Sequence, residues 1–472
     1  MKKRVFVVAI TMVIVISLLV TIYHVIDKRV GIPYYASTIN QRYHLWMDKY
    51  GNYKPRNTTV SLSNTALPVI YIDANDQIRK DKKTPVNVKI ADSKGCVDFE
   101  GQMLIKYRGH ASFRVSEKKS YSLRPIDEMG NGTNISLLGS KKNKKWCLLA
   151  QHIDRSMIRE LVSYEIARPY MKGVPQTRIC ELVFNGVYYG VYILSDQPSR
   201  KSLSLTKTSE AKGDVSGSYL LYWARANEAD YVAVVNNKGI VCKYPFQVKY
   251  PDKDEMGIER KEWLDKRFSE MVAAISDTTS DRYKQYIDEQ SFIDFQLVAE
   301  ISHNPDAMLH SAYMYKDIDD IDSTFRMHVW DNDHSFGIGN VPGYGTYNNW
   351  IWEQKSKEGE CSQWFDWLFH NPYYKKSLVG RYKEWREGIC STANLSIIID
   401  SLANVLISSG AIDRNKQAWD LWKIETNHRI APPPHAKFIS DSFLDEIQYI
   451  KDWTEKRLAW MDEQLLEDNE CI

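Results

Sequence analysis

The order of strand-type and helix-type segments is the feature that most constrains the fold of this chain. The clearest segment is a hairpin in which Asn185-Gly186 separates two apolar runs, 180–184 and 187–194. Asn-Gly between apolar strands is the strongest short signal for a hairpin turn. Further strand-type segments lie at 67–73, 86–91, 99–108, 118–125 and 217–250. Hairpins that alternate with helices favour an α+β fold over a doubly wound sheet.

Helical patterns are more frequent later in the chain. A helix is predicted from Asp154, a suitable capping residue, to about Pro169, because apolar residues recur on one face. A second helix is predicted over 281–302 and a last one over about 440–466. Two strands joined by an acidic turn are predicted within 311–331, and the chain after Asp366 is mostly helical. We therefore expect a β-rich part over 66–250 and a helical part over 251–466.

The first 30 residues predict a membrane anchor. Between Arg4 and Asp27 lie 22 residues without Asp, Glu, Lys or Arg, which is enough to span a bilayer. A cleaved signal peptide and a buried core helix are the alternatives, but the run is long for a signal peptide and no Ala-x-Ala follows it. Positive residues before the run place the N-terminus in the cytoplasm and the body outside. The polar residues 31–65 are predicted to be a stalk.

Charge and cysteine content exclude some classes of protein. The whole chain of 472 residues has a formal charge of +2, so bulk attraction to nucleic acid is not expected. The seven cysteines form no CxxC pair, which argues against a zinc ribbon or a thioredoxin-like site. A buried apolar role is expected for each cysteine, with one or two disulfides as the alternative.

The segment 300–345 contains the residues best suited to chemistry. Asp331 and Asp333 follow a strand-type run, and in an extended strand both side chains would point to one side and share a divalent cation. Asp306 precedes them by one predicted hairpin, in the order expected of a phosphotransferase site. A solvated Asp-x-Asp turn and a capping Asp306 are the alternative interpretations. The acidic turn 317–322 lacks the glycine and final glutamate of an EF-hand loop, so we expect a solvated hairpin tip there rather than a calcium loop.

A basic segment suggests a contact with phosphate. Arg108, Gly109, Lys118 and Lys119 lie on one predicted hairpin, where the charged groups would reach phosphate oxygens. Exposed charges on an ordinary hairpin are the alternative.

Five blocks in this order make the chain resemble the CotH kinase family, the spore-coat-protein kinases of bacteria. The blocks span roughly 67–340 and are LPVIYID, KYRGHASFRVSEKKSYSLR, LLAQHIDRSMIRELVSYEIAR, LVFNGVYYGVYILSD and NPDAMLHSAYMYKD…VWDNDHSFG. The resemblance implies an atypical protein-kinase-like fold over 66–466. It also implies transfer of phosphate from ATP to Ser or Thr of a surface or coat protein, with Mg²⁺ or Mn²⁺.

The resemblance implies a role for each candidate residue. Asp306 matches the catalytic aspartate, and Asp331, with Asp333 beside it, matches the metal ligand. The phosphate contacts are implied for Lys118 or Lys119, with Arg108 and Gly109 shaping the same loop. Arg159 matches an arginine of the family that is either structural or faces phosphate.

Three positions depart from the family pattern. Ser311 stands where a second metal ligand, Asn, is usual. The Arg-Gly-Asn-Ser-Ser pattern becomes Arg-Gly-His-Ala-Ser at 108–112, and Asp196 replaces a common Glu.

Two alternatives to an active kinase follow from these observations. The departures leave open a weak or inactive scaffold in a surface or coat assembly. A metal-dependent phosphoesterase or a glycan hydrolase is a further alternative, suggested by 57 aromatic residues and an exported body. ATP is scarce outside a cell, so the outward topology and an ATP donor are in tension.

Overall fold

The structure is a computed structural model, and part of the chain lies outside its description. The described residues are 55, 60–62, 65–109, 112–113, 116, 118–151, 154–208, 213–237, 240–338, 345–353, 361–419 and 442–467. The predicted anchor 1–30 and most of the predicted stalk 31–65 lie outside them. In the described part, no single helix is long and apolar enough to cross a membrane. The helices 372–387 and 392–408 pass that test only as a pair bent by 60°.

The described residues form twelve strands and eight α-helices. The strands are β1 (Val69–Asp73), β2 (Thr84–Ala91), β3 (Val97–Tyr107), β4 (Tyr121–Pro125), β5 (Trp146–Leu149), β6 (Thr177–Phe184), β7 (Val187–Asp196), β8 (Tyr219–Trp223), β9 (Tyr231–Asn237), β10 (Ile240–Tyr250), β11 (Tyr313–Lys316) and β12 (Arg326–His328). The helices are α1 (Arg159–Ala167), α2 (Ile258–Ile275), α3 (Glu289–Ser302), α4 (Cys361–Phe369), α5 (Pro372–Glu387), α6 (Thr392–Ser408), α7 (Ala411–Ala418) and α8 (Phe443–Asp462). Because ten strands precede residue 251 and seven helices follow it, the predicted α+β class with a β-rich first part is confirmed.

The first seven strands close into a barrel in the order β1-β2-β3-β4-β5-β7-β6. Alternation explains its inner face: Val86, Val88 and Ile90 of β2 are buried, whereas the residues between them are exposed. In the predicted Asn185-Gly186 hairpin, β6 and β7 pair antiparallel. The segments 99–108 and 118–125 are also confirmed as partners, since β3 pairs with β4.

The other five strands form a separate sheet in the order β12-β11-β8-β10-β9. One face of this sheet packs with the helices into the largest apolar core. The opposite face meets the outside of the barrel in a smaller cluster that contains Cys147 of β5, Leu220 of β8 and Trp330. This second contact places the end of β12 against the barrel, which is where the candidate carboxylates follow.

Two helix boundaries differ from the prediction. The prediction that a helix begins at Asp154 is wrong, because α1 begins at Arg159 and has no side-chain cap. Asp154 instead accepts hydrogen bonds from the backbone N–H groups of Ser156 and Arg159 at 2.9 Å each. The helix expected from residue 281 begins at Glu289, capped by Asp288, after a short 3₁₀ turn over 282–285.

The acidic turn 317–322 connects β11 to β12 and is held by cations of this chain. Asp319 pairs with Lys316 at 2.5 Å and Asp322 with Arg326 at 2.7 Å. The solvated hairpin therefore describes this turn better than a calcium loop. Cys96, Cys147, Cys180, Cys242 and Cys390 are free thiols, and only Cys96 among these five is exposed.

A buried arginine joins the last helix to the helix that precedes the candidate site. Arg457 of α8 donates to the carboxylate of Glu300 at 2.8 Å and to the carbonyl groups of Tyr347 and Asn349 at 2.7 Å. Both charged side chains are fully buried or nearly so. Removing one partner of such a pair leaves the other as an uncompensated buried charge.

We expect Arg457→Ala to lower the free energy of unfolding by about 3–5 kcal/mol, because Glu300 loses its counter-charge. Urea denaturation followed by tryptophan fluorescence measures this change. Lys456→Ala, on the exposed neighbouring position of α8, is the matched control and should change it by less than about 0.5 kcal/mol. Equal effects of the two substitutions would contradict the role assigned to Arg457.

Candidate functional site

The first carboxylate of the site, Asp306, is placed by the end of α3. His303 ends the helix in the left-handed conformation with φ 50°, and Asn304 caps a short 3₁₀ turn over 305–308. The Asn304 side chain accepts a hydrogen bond from the Asp306 N–H at 3.2 Å. About 20 % of the Asp306 side chain is exposed, so its carboxylate remains accessible to a substrate.

Asp331 follows β12 but does not continue the strand. Its φ of 62° lies in the left-handed region, so the prediction that Asp331 and Asp333 share one side of an extended strand is wrong. The Tyr164 hydroxyl accepts from the Asp331 N–H at 3.3 Å, and Asn304 donates to the Asp331 carbonyl oxygen at 3.2 Å. These tertiary contacts fix the unusual backbone conformation.

Asn304 brings the two predicted aspartates together. Its side-chain oxygen holds the backbone of Asp306, and its side-chain nitrogen holds the backbone of Asp331. The two residues are 25 positions apart in the sequence, separated by the β11–β12 hairpin. A single amide side chain therefore sets the spacing of the site.

Burial, a histidine and the neighbouring charges together determine the electrostatics of the carboxylates. Burial, together with the charges of Asp331 and Asp306, raises the pKa of Asp333 to about 6, although His334 opposes this rise. Burial would lower the pKa of His334, but the carboxylates of Asp333 and Asp306 raise it to about 10. His334 is therefore a cation at neutral pH, placed among three carboxylates.

Asp306 remains ionised at neutral pH. Burial opposes its charge, but the hydrogen bond and charge of His334, with the charges of His310 and Arg225, hold its pKa below its usual value. His334 Nδ1 lies 3.5 Å and His310 Nε2 3.7 Å from the Asp306 carboxylate. The carboxylate is thus charged and able to accept a hydrogen bond from a hydroxyl group.

Ser311 joins the carboxylates to the five-stranded sheet. Its hydroxyl donates to Asp331 Oδ2 at 3.2 Å and accepts from the Tyr222 hydroxyl at 3.4 Å. Its φ is 65°, a conformation in which Asn is more common than most other residues. Among the described residues, no group of three or more His, Cys, Asp or Glu side chains is arranged to hold a metal ion. A cation here would need ligands beyond these side chains.

Arg108 is the predicted basic residue that lies near the carboxylates. Its guanidinium contacts the Cys147 thiol and lies 5.3 Å from the centre of the Trp330 ring. Burial opposes its charge, yet the Cys147 thiol and the Asp331 carboxylate raise its pKa overall. Gly109 beside it has φ 88°, and a Cβ atom there would lie 2.1 Å from the Ser112 hydroxyl oxygen. The turn after β3 therefore requires glycine at this position.

The ammonium groups of Lys118 and Lys119 bind to oxygen atoms of the protein itself. Lys118 Nζ donates to the carbonyl group of Val191 and, at 3.2 Å, to the side chain of Asn415. Lys119 Nζ donates to the carbonyl groups of Phe113 and Ser116 at 2.6 and 2.5 Å. Both lysines are buried, so each ammonium group already serves the fold.

Arg159 is engaged by two carboxylates. Its guanidinium lies 2.6 Å from Asp154 and 2.7 Å from Glu446. It also donates to the carbonyl oxygen of Phe336 at 3.4 Å. These contacts favour the structural role over the phosphate-facing one, and the nucleotide roles of Arg108, Lys118, Lys119 and Arg159 remain predictions.

Sequence reasoning missed the part of α1 that supports the site. Glu160 accepts from Tyr164 and from Gln151 at 2.7 Å each, and burial with the charges of Asp333 and Asp331 raises the pKa of Glu160 to about 8. Glu160 and Tyr164 are four residues apart on one helix, a spacing that brings side chains together. The four-residue spacing could have indicated the contact between Glu160 and Tyr164. Nothing in the sequence indicated that Tyr164 contacts Asp331.

The buried position of Lys118 predicts a pH dependence of stability. Burial lowers the pKa of Lys118 from 10.5 to about 7, so the unfolded chain binds more protons between these two pH values. The free energy of unfolding should therefore rise from pH 7 to 10 by a few kcal/mol, at about 1.4 kcal/mol per pKa unit.

Lys118→Met should remove most of this rise, as measured by urea denaturation at pH 7, 8.5 and 10. Lys94→Met, at an exposed turn, is the control and should keep the wild-type slope. An unchanged slope in the Lys118 variant would show that the ammonium group is not desolvated.

A comparison with protein families identifies the family of this chain. Residues 105–461 match the CotH family, described as CotH kinase protein, and this match covers most of the 472 residues. The matched range contains all of the carboxylates and hydroxyls of the candidate site. A search among curated proteins gave no match. Because the matched range covers well over half of the chain, this protein belongs to the CotH kinase protein family.

Proposed function

We propose that this protein transfers the γ-phosphoryl group of ATP to a Ser or Thr hydroxyl of a protein substrate, with Mg²⁺ or Mn²⁺. The observation that carries the proposal is the double contact of Asn304, which brings Asp306 and Asp331 into one site. An aspartate for the hydroxyl and an aspartate for a cation are the two carboxylate roles that phosphoryl transfer uses. Membership in the CotH family supports the same chemistry. The atypical protein-kinase-like fold is part of this proposal.

The donor atoms around Asp331 fit a hard divalent cation. Carboxylate and hydroxyl oxygens of Asp331, Asp333 and Ser311 are the ligand types such ions prefer, and Mg²⁺ is commonly held by one or two carboxylates plus substrate phosphates. Burial first, and the charges of Asp331 and Asp306 after it, raise the pKa of Asp333, and a cation would relieve the repulsion among these carboxylates. Asp331, Asp333 and Ser311 would hold such a cation, which would supply positive charge against the negative charge of the phosphate groups.

The remaining steps fall to side chains of this chain. The acceptor hydroxyl oxygen forms the bond to the γ-phosphorus while the bond to the bridging oxygen breaks, and ADP leaves. Asp306 accepts the hydroxyl proton, and its neighbours His334 and His310 keep it ionised for this role. Arg108, close to Asp331, would stabilise negative charge on the transferred group.

A weak or inactive scaffold is the second candidate function, and Ser311 is the observation that favours it. A serine hydroxyl binds a cation less strongly than the Asn side chain usual in the family.

The proposal also includes the membrane anchor over residues 1–30 and an extracytoplasmic body, with a coat or surface protein as the substrate. A phosphoesterase or a glycan hydrolase would turn over phosphate esters or glycans without ATP, which the assay below distinguishes.

Asp306→Asn should lower phosphoryl transfer by about 10²–10⁴-fold, because the proton acceptor is lost. Transfer of label from γ-labelled ATP to a protein mixture, with Mg²⁺ or Mn²⁺, measures this rate. Asp320→Asn, in the exposed turn between β11 and β12, is the matched control and should leave the rate unchanged. Transfer that persists in the Asp306 variant, or that never occurs in the wild type, would argue for the other functions.

Ser311→Asn should strengthen the cation site, since Asn supplies a carbonyl oxygen and tolerates the left-handed backbone. We expect a several-fold lower Mn²⁺ concentration for half-maximal transfer, and a several-fold higher one for Ser311→Ala. Thermal unfolding without metal controls for changes in the fold. A gain of activity only in the Asn variant would identify the natural protein as a weakened enzyme.

A further inference from the structure

The outer face of the barrel carries a row of basic residues next to the candidate site. In β3, Met103 and Ile105 fill the barrel, so Lys106 points outward, as alternation requires. Lys145 lies just before β5. Its backbone carbonyl oxygen accepts a hydrogen bond from the backbone N–H of Gln197, the residue after β7. Because Lys145 lies two residues before Cys147, it shares the outward face with that thiol. Cys147 belongs to the apolar cluster between the barrel and the five-stranded sheet.

Lys249 approaches the same region from the five-stranded sheet. Lys249 lies at an irregularity of β10, between Val248, which packs in the helical core, and Tyr250, which packs against the cluster between barrel and sheet. Its contact with Tyr222 places its side chain on the face that meets the barrel. Lys249 Nζ lies 5.1 Å from the centre of the Tyr222 ring and donates to Gln247 Oε1 at 2.6 Å. Tyr222 itself packs against the cluster between barrel and sheet. We call Lys106, Lys145 and Lys249 the lysine cluster.

The lysine cluster has an excess of positive charge. Within the described part of the chain, none of its ammonium groups forms an ion pair within 4.0 Å. Burial and the charges of Lys145, Arg108 and Lys106 lower the pKa of Lys249 to about 8, although Asp230 opposes this. Burial and the charges of Lys144 and Arg124 lower the pKa of Lys145, against the opposing charge of Asp252. All three lysines are half-buried, so an anion would relieve their repulsion while remaining reachable from solvent.

A short path of contacts connects the lysine cluster to Asp331. Lys249 lies over the Tyr222 ring at 5.1 Å, the Tyr222 hydroxyl is 3.4 Å from Ser311, and Ser311 is 3.2 Å from Asp331. Arg108 interacts electrostatically with both Lys249 and Asp331. An anion on the cluster would therefore extend toward the carboxylate that the proposed function assigns to the cation.

We infer that the lysine cluster binds the phosphate chain of the phosphoryl donor, with Arg108 at the end nearest Asp331. This inference rests on the proposed function and names the ligand class as a linear triphosphate, from a nucleoside triphosphate or from inorganic polyphosphate. It assigns the phosphate contacts to lysines 106, 145 and 249 in place of Lys118 and Lys119, whose ammonium groups serve the fold. Ammonium groups near phosphate form charge-assisted hydrogen bonds, which are among the stronger ones in proteins.

The test measures binding of inorganic triphosphate to the full chain by calorimetry. Lys145→Gln and Lys249→Gln should each weaken binding by about tenfold, the order of magnitude of one lost hydrogen bond to a charged group. The double variant should weaken it further, and added salt should weaken binding to the wild type. Lys142→Gln, in the same loop as Lys145, and Lys243→Gln, on the same strand as Lys249, are exposed controls and should bind as the wild type does.

Loss of binding must be separated from loss of the fold. The glutamine variants remove a charge from a half-buried position, so their thermal unfolding temperature should stay at or above that of the wild type. If the double variant is folded and binds triphosphate as tightly as the controls, the inference is overturned.

The same variants distinguish this inference from the proposed function. Triphosphate binding that needs the cluster, without any transfer to protein, would support the inference and contradict the kinase. Transfer with an unchanged KM for ATP in the double variant would support the kinase and overturn the inference. ATP that binds more tightly than inorganic triphosphate would identify a nucleotide donor, whereas equal binding would identify inorganic polyphosphate, and both results support the assigned ligand class.

Discussion

One buried guanidinium holds the candidate site in its place. Arg159 is fully buried and binds the carboxylates of Asp154, before α1, and Glu446, on α8. The same guanidinium donates to the carbonyl oxygen of Phe336, three residues after Asp333. Because a buried charge without its partners is strongly destabilising, these segments cannot separate independently. The last helix therefore belongs to the scaffold of the carboxylates, although it lies more than a hundred residues after them.

Local sequence signals predicted the elements well and their conformation at the site poorly. The Asn185-Gly186 turn and the last helix follow from turn chemistry and periodicity, and the structure contains both. Asp331 departs from an extended conformation because Tyr164 and Asn304, distant in the sequence, hold its peptide groups. Asp154 fails to start a helix because its carboxylate instead serves the Arg159 guanidinium and backbone. In each case a tertiary contact overrides a local preference.

The acidic half of the candidate site was accessible to sequence reasoning, and the basic half was not. Asp306 and Asp331 flank one hairpin, so their approach follows from the order of the elements. Adjacent lysines on a predicted hairpin suggest exposed charge, yet Lys118 reaches Asn415, 297 positions later in the chain. Conversely, Lys249 approaches Arg108 and Lys145 only because the five-stranded sheet packs on the barrel. A short sequence motif contains only residues that are close in the chain, so it cannot reveal residues that meet where the sheet packs on the barrel.

The separation of charges within the site restricts the ligands that suit it. The net charge of +2 conceals three carboxylates at one end and the lysine cluster at the other, with the hydroxyls of Ser311 and Tyr222 between them. A simple anion would be repelled at the carboxylate end, and a simple cation would be repelled at the lysine end. An anionic chain that carries a divalent cation at its terminus matches both ends at once. Because a metal–polyphosphate has this distribution of charge, the electrostatics and the chemistry proposed for Asp306 point to the same class of donor.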